Sequence, residues 1–129
     1  MSKNIITLTR GDTFDFTVTI FEELYGHYYT ETRPGDIIEF AILRPNQEYI
    51  HHFNDSDEED LLPIRKQIII EDENPNDECT FYLEHSDTKN LPVGVYYYTV
   101  KLIRRPYPTE NFEMQVLTII NRTKFVLNN

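Results

Sequence analysis

Carboxylates are the most abundant reactive side chains in this 129-residue chain, 22 Asp and Glu against 12 Lys and Arg. Two runs concentrate them: Asp55, Asp57, Glu58 and Asp60, then Asp72, Asp77 and Glu78. Carboxylate oxygens at that density are the donors a calcium ion prefers. Neither run has EF-hand spacing, and neither holds a glycine to shape a ligand loop, so both read as solvated loops. His51 and His52 are adjacent; on a strand they point to opposite faces and cannot hold one metal together. His27 and His85 stand apart, and no Cys–His pair has zinc spacing. The chain lacks a nucleophile elbow, a glycine-rich phosphate loop and a HExxH helix. A paired-carboxylate hydrolase would need two acids in one cleft, and nothing in the spacing puts them there. The reading is therefore a non-enzyme with no catalytic residue, no metal and no cofactor. The single cysteine, Cys79, precludes an internal disulfide and falls in the apolar row Cys79, Phe81, Leu83. It reads as a small buried hydrophobe.

Tyrosines carry the binding potential. Nine Tyr and eight Phe with no Trp suggest that aromatic mass fills a β core. Tyr96-Tyr97-Tyr98, Tyr28-Tyr29 and Tyr107 could also form a sugar-stacking or protein-contact surface. In an alternating strand Tyr97 faces away from Tyr96 and Tyr98, and an exposed Tyr97 would mean a partner. The loops Phe21–Thr32 and Arg104–Asn111 combine Tyr with Arg in acidic surroundings, the composition of interface hot spots. Tyr28, Tyr29, Tyr97, Arg104, Arg105 and Tyr107 are thus the candidate protein-interface residues, together with the terminal strands.

A net charge of −10 and a pI near 4.7 repel phosphate backbones, so nucleic acid is not an expected partner. The basic cluster Lys101, Arg104, Arg105 is too short to reverse that. Composition is that of a globular chain, 40% hydrophobic and 26% charged. The length fits a single domain over 1–129 that buries roughly two-thirds of its unfolded surface. The opening MSKNIITLTRGD lacks the apolar run of a signal peptide, and no segment reaches membrane-spanning length. The expectation is a chain made in the cytoplasm, with no membrane partner. Asn121-Arg122-Thr123 fits a glycosylation sequon but carries no weight without a secretory signal.

The elements that must position these residues are strands. Ile5 to Thr9 is a short one, and Arg10-Gly11-Asp12 reads as a turn rather than an integrin-binding tripeptide. Phe14, Phe16, Val18 and Ile20 alternate with Asp15, Thr17 and Thr19, the clearest two-faced strand in the chain. Phe21 to Thr32 forms an insertion-like hairpin or loop before the turn Arg33-Pro34-Gly35-Asp36. In the next strand Ile38, Phe40 and Ile42 face the core with Glu39 outward, and Pro45 ends it. A short strand over Tyr49 to Phe53 and a helical turn over Glu58 to Leu62 are further expectations. Lys66 to Glu71, Cys79 to Glu84, Val95 to Leu102, Phe112 to Asn121 and Thr123 to Leu127 complete the strands. Between Leu83 and Val95 lies a polar link closed by Leu91-Pro92-Val93-Gly94, the kind of corner that carries a chain from one sheet to the next. Seven to nine short strands with regular turns predict an all-β, antiparallel sandwich.

Three pieces also carry a resemblance: Leu8-Thr9-Arg10-Gly11-Asp12-Thr13-Phe14, Arg33-Pro34-Gly35-Asp36-Ile37-Ile38-Glu39-Phe40-Ala41-Ile42, and the corner Asp87-Thr88…Leu91-Pro92-Val93-Gly94-Val95-Tyr96-Tyr97-Tyr98. In this order, over Ile6 to Leu127, they resemble the N-terminal immunoglobulin-like domain of phage baseplate upper proteins. The resemblance implies a virion structural protein whose partners are other phage virion proteins in multiple copies. In that family a stalk follows the domain, whereas this sequence stops at Asn129. The expectation is an adaptor at the baseplate or tail, or a decoration subunit on the capsid. The alternative is a carbohydrate-binding module with a host-surface glycan as its ligand, and a third reading is a small hydrolase or inhibitor.

Overall fold

The computed structural model describes residues 5–19, 22–24, 27–29, 32–49, 62–71 and 78–129, with the backbone alone for 22–24 and 27–29. In chain order the strands are β1 (Ile6–Thr9), β2 (Phe14–Thr19), β3 (Glu22–Leu24), β4 (His27–Tyr29), β5 (Ile37–Leu43), β6 (Ile64–Ile69), β7 (Glu78–Leu83), β8 (Gly94–Arg104) and β9 (Gln115–Asn128). One short helix, α1 (His85–Thr88), lies between β7 and β8. The chain is all-β in character, as its alternation predicts. Tyr49 lies outside any strand, and the expected strand and helical turn between 50 and 61 fall outside the described residues, as do the acidic runs over 55–60 and 72–77.

Five strands form a curled sheet in the order β1-β9-β8-β5-β6, and β2 pairs with β7 in a second, smaller sheet. β3 and β4 form a separate antiparallel hairpin, Glu22 opposite Tyr29, within the stretch expected to be a hairpin or loop. β2 and β7 pair in register, Phe14 with Leu83 and Val18 with Cys79. Because side chains alternate across a strand, this puts Val18, Cys79, Phe81 and Leu83 on one buried face. They pack on Phe40, Tyr98, Val100 and Phe125 of the large sheet. The ring of Phe16 stands edge-on to Tyr98 at 5.4 Å, and Phe40 stacks on Phe81 at 5.5 Å. Such pairs add about 0.5–1.5 kcal/mol beyond the area they bury. Cys79 is buried here as a small hydrophobe.

Two turns and a corner set the geometry. Pro34 and Gly35 occupy the centre of a type II turn, in which the Asp36 amide donates to the Arg33 carbonyl at 3.1 Å. Gly35 has φ +97° there, a value that side chains disfavour. The corner carries the chain from β7 in the small sheet to β8 in the large one, and it begins with α1 rather than an irregular link. Glu84 caps α1 reciprocally with Asp87, the Glu84 amide donating to the Asp87 carboxylate at 2.7 Å. At the far end of the corner the Tyr96 hydroxyl donates to the Pro92 carbonyl at 2.6 Å.

Three sequence expectations are corrected. The sheets are not wholly antiparallel: β1 runs parallel to β9, Ile6 beside Phe125 and Thr9 beside Asn128. The terminal region is one strand rather than two, because β9 absorbs its polar Asn121-Arg122 pair in a bulge instead of breaking. Between Tyr98 and Val100 of β8, β9 advances from Thr123 to Ile120, and between Val100 and Lys101 from Ile120 to Thr118. Each step gives β9 one extra residue. Glu39, expected to point into solvent, is fully buried. Sheet alternation does turn it away from the main core, but Tyr49, Arg65 and Gln67 cover it there.

Candidate interaction surface

Arg33 and the 105–112 loop meet at one end of the large sheet, and there the candidate residues are bonded to one another. The Arg33 guanidinium donates to both Glu110 oxygens at 2.7 Å, and also to the Arg105 carbonyl at 2.9 Å. It lies over the Tyr107 ring at 3.9 Å. The Tyr107 hydroxyl donates to the Pro34 carbonyl, and the Tyr107 amide to Glu110, both at 2.7 Å. Arg104 donates twice to Asp36, at 2.9 and 2.7 Å, a fork that fits a carboxylate. Hydrogen bonds from Arg33 and from the Tyr107 amide hold the Glu110 carboxyl down to about 2 from its ordinary 4.5. The structure thus unites Arg104, Tyr107 and the backbone of Arg105 in a clamp closing the Arg33–Asp36 turn over the loop. Tyr107 keeps 41% of its surface exposed, and it is already committed on one face.

Tyr97 lies elsewhere, near the opposite end of β5. Only partly exposed, it sits under the Arg122 guanidinium at 4.6 Å. The bulge in β9 projects Arg122 across the Arg44–Gln47 turn, where it donates to the carbonyls of Gln47 at 2.8 Å, Pro45 at 2.6 Å and Arg44 at 3.2 Å. An intramolecular cation therefore covers Tyr97, and its position needs no external partner. The clamp and the Tyr97 site are separate. The Tyr28 and Tyr29 side chains lie outside the described residues.

Sequence reasoning missed the cluster around Glu39. Arg65 and Gln67 each donate to Glu39 Oε2 at 2.8 Å, and the Tyr49 hydroxyl donates to Oε1. Burial would raise the Glu39 pKa, but these three bonds outweigh it and keep the carboxylate ionised. Burial and the adjacent carboxylate push the Tyr49 phenol up. Arg65 and Lys101 approach the Tyr49 ring at 5.7 and 5.3 Å. The available signal was the run Ile37-Ile38-Glu39-Phe40-Ala41-Ile42-Leu43, apolar in both phases around one acid, which marks a strand buried on both faces. Among the described residues, no three His, Cys, Asp or Glu side chains gather as a metal site would. Nor is any helix there long and apolar enough to cross a membrane.

The turn after β1 is pinned to the corner. The Gly11 amide donates to Thr88 Oγ1 and its carbonyl accepts from His85 Nδ1, both at 2.8 Å. Arg10 reaches the Leu91 carbonyl and Asn129. Arg10-Gly11-Asp12 is therefore a structural turn, with φ +89° at Gly11.

Between β1 and β9 on one side and β2 on the other runs a groove of about 770 Å³. Ile5, Phe14, Phe16, Ile119 and Ile120 supply its apolar lining. Simple alternation would send Ile119 and Ile120 to opposite faces, but the second bulge of β9 lies between the partners of Val100 and Lys101 and lets both line the groove. Thr17 and Thr19 form the β2 rim. Among the described residues β2 pairs with β7 alone, and its other edge has no strand partner there. No family model, curated protein or solved structure matches the chain.

Proposed function

We propose that this chain is a non-enzymatic structural subunit of a phage particle, an immunoglobulin-like sandwich that docks to neighbouring virion proteins at the baseplate, tail or capsid. The edge of β2 that has no strand partner among the described residues, beside an apolar groove, is the observation that carries docking, because it offers both main-chain hydrogen bonds and surface to bury. The strand order β1-β9-β8-β5-β6 facing β2-β7 supports the immunoglobulin-like reading. So does the tie from Tyr96 at the start of β8 back to Pro92, the arrangement of a tyrosine corner. The particle itself is proposed from the three resembling motifs. Two of these include the Gly11 and Gly35 turns, and the third includes the corner. The glycan alternative loses its intended platform, because Arg122 stands over the Tyr97 ring where a sugar would stack.

Mass spectrometry of gradient-purified particles tests the proposal. The chain is expected among the virion proteins at a reproducible copy number, and its absence would overturn the reading.

A further inference from the structure

We infer that the turns of this chain are closed to trypsin-like proteases, so that the folded protein withstands an enzyme that cuts after arginine or lysine. The observation that carries this is where proline falls. Three of the arginines, Arg33, Arg44 and Arg105, stand directly before Pro34, Pro45 and Pro106. At seven prolines in 129 residues, chance would put a proline after fewer than one of the chain's arginines. All three pairs lie outside the strands, in the turn before β5, the turn after it and the loop after β8. Pro34, Arg44, Pro45, Arg105 and Pro106 are exposed there, and exposed loop tips are where proteases nick a folded chain. A trypsin-like enzyme holds the basic side chain in an acidic pocket and attacks the peptide bond that follows. When proline comes next, the nitrogen of that bond sits in a ring, with no N–H and a fixed φ. The extended fit the enzyme needs is then lost.

The other basic residues from Ile5 onward are guarded by the fold. Arg65 and Lys66 in β6, Lys101 and Arg104 in β8 and Lys124 in β9 pair with neighbouring strands. Arg104 is also held by Asp36. Arg122, in the bulge, is engaged by three carbonyls of the Arg44–Gln47 turn. The bond from Arg10 to Gly11 is pinned, because the Arg10 amide donates to the Asn128 carbonyl and the Gly11 amide to Thr88 Oγ1, both at 2.8 Å. The bond from Lys89 to Asn90 lies in a turn closed by the Leu91 amide on the Thr88 carbonyl at 3.0 Å. Between these points the sequence offers no target. Stretches 11–32, 45–64, 67–88 and 106–121 contain no Lys or Arg. They are rich in Asp and Glu, so what they avoid is basic residues and not charge.

Limited trypsin digestion of the full chain, read by mass spectrometry, is the test. The folded wild type should stay intact from Asn4 to Asn129. After denaturation in urea the same digestion should cut at Arg10 and Lys89 and still spare the three Arg–Pro bonds, which separates protection by the fold from protection by proline. Pro106→Ala should open the bond after Arg105 in the folded chain, giving pieces 1–105 and 106–129. Pro45→Ala should open the bond after Arg44, giving pieces 1–44 and 45–129. Asn46→Arg supplies a target in that same turn without removing a proline, and the chain should be cut after position 46. The urea midpoint of each variant checks that it is folded. Two results overturn the inference. One is a folded wild type nicked anywhere after Asn4. The other is resistance of all three folded variants, which would leave the prolines no protective part. Each result is readable whether or not particles contain the chain, so it stands apart from the docking reading.

Discussion

The clamp around Arg33 and the groove beside β2 are both surface regions, but their bonding differs. At the clamp, Arg33, Asp36, Arg104, Tyr107 and Glu110 donate to and accept from one another. Along β2, among the described residues, one edge has no strand partner. The clamp has the Tyr and Arg composition of a hot spot, whereas the groove is lined by Ile, Phe, Val and Thr. Composition alone therefore does not distinguish an interface from a latch, because the same cation–aromatic and fork geometries serve either. Bonds already made inside the chain distinguish them.

Four perturbations sharpen this contrast, from the largest effect to the smallest. Glu39→Ala should destabilise most, by about 3–5 kcal/mol, because it removes the buried carboxylate to which Arg65, Gln67 and Tyr49 all donate. A drop in the denaturation midpoint reads it directly. An undiminished midpoint would mean that the cluster is ornamental. Tyr96→Phe removes the corner bond to Pro92 and should cost about 1 kcal/mol, measured by the same titration.

Glu110 supplies a pH signature. Its folded pKa is depressed from 4.5 to about 2, so its contribution is present above the ordinary carboxylate value and is lost as pH falls through the folded one. Urea midpoints followed downward from pH 6 should fall, and Glu110→Gln should flatten part of that slope. An unaltered slope would show that the clamp carries no such linkage. Ile5→Asp should leave stability within about 0.5 kcal/mol of wild type, while weakening particle incorporation. A large loss of stability there would make the groove a piece of core, and the contrast would fail.

Much of the fold was legible because local rules agreed with it. Phe14, Phe16 and Val18 announced β2 by alternation, Pro34-Gly35 announced its turn, and Pro92 and Gly94 marked the corner between sheets. What was hidden depended on contacts distant in sequence. An isolated acid such as Glu39 looks like a solvent-facing residue until Arg65 and Gln67, 26 and 28 positions away, are seen to meet it. Asn121-Arg122 looks like a strand break, and its purpose emerges only when Arg122 reaches the Arg44–Gln47 turn. The groove was invisible for a related reason. Its lining comes from β1, β2 and β9, and neither the parallel pairing nor the slip at Ile119 is written in any local pattern.

The parallel match of β1 with β9 has a mechanical consequence. Tension drawn from Ile6 towards the chain's start and from Asn128 towards its finish pulls these two strands lengthwise past each other. The four rungs from Ile6–Phe125 to Thr9–Asn128 then share the load at once, instead of peeling open one after another as a hairpin would. A subunit stressed along that line resists as a lap joint does.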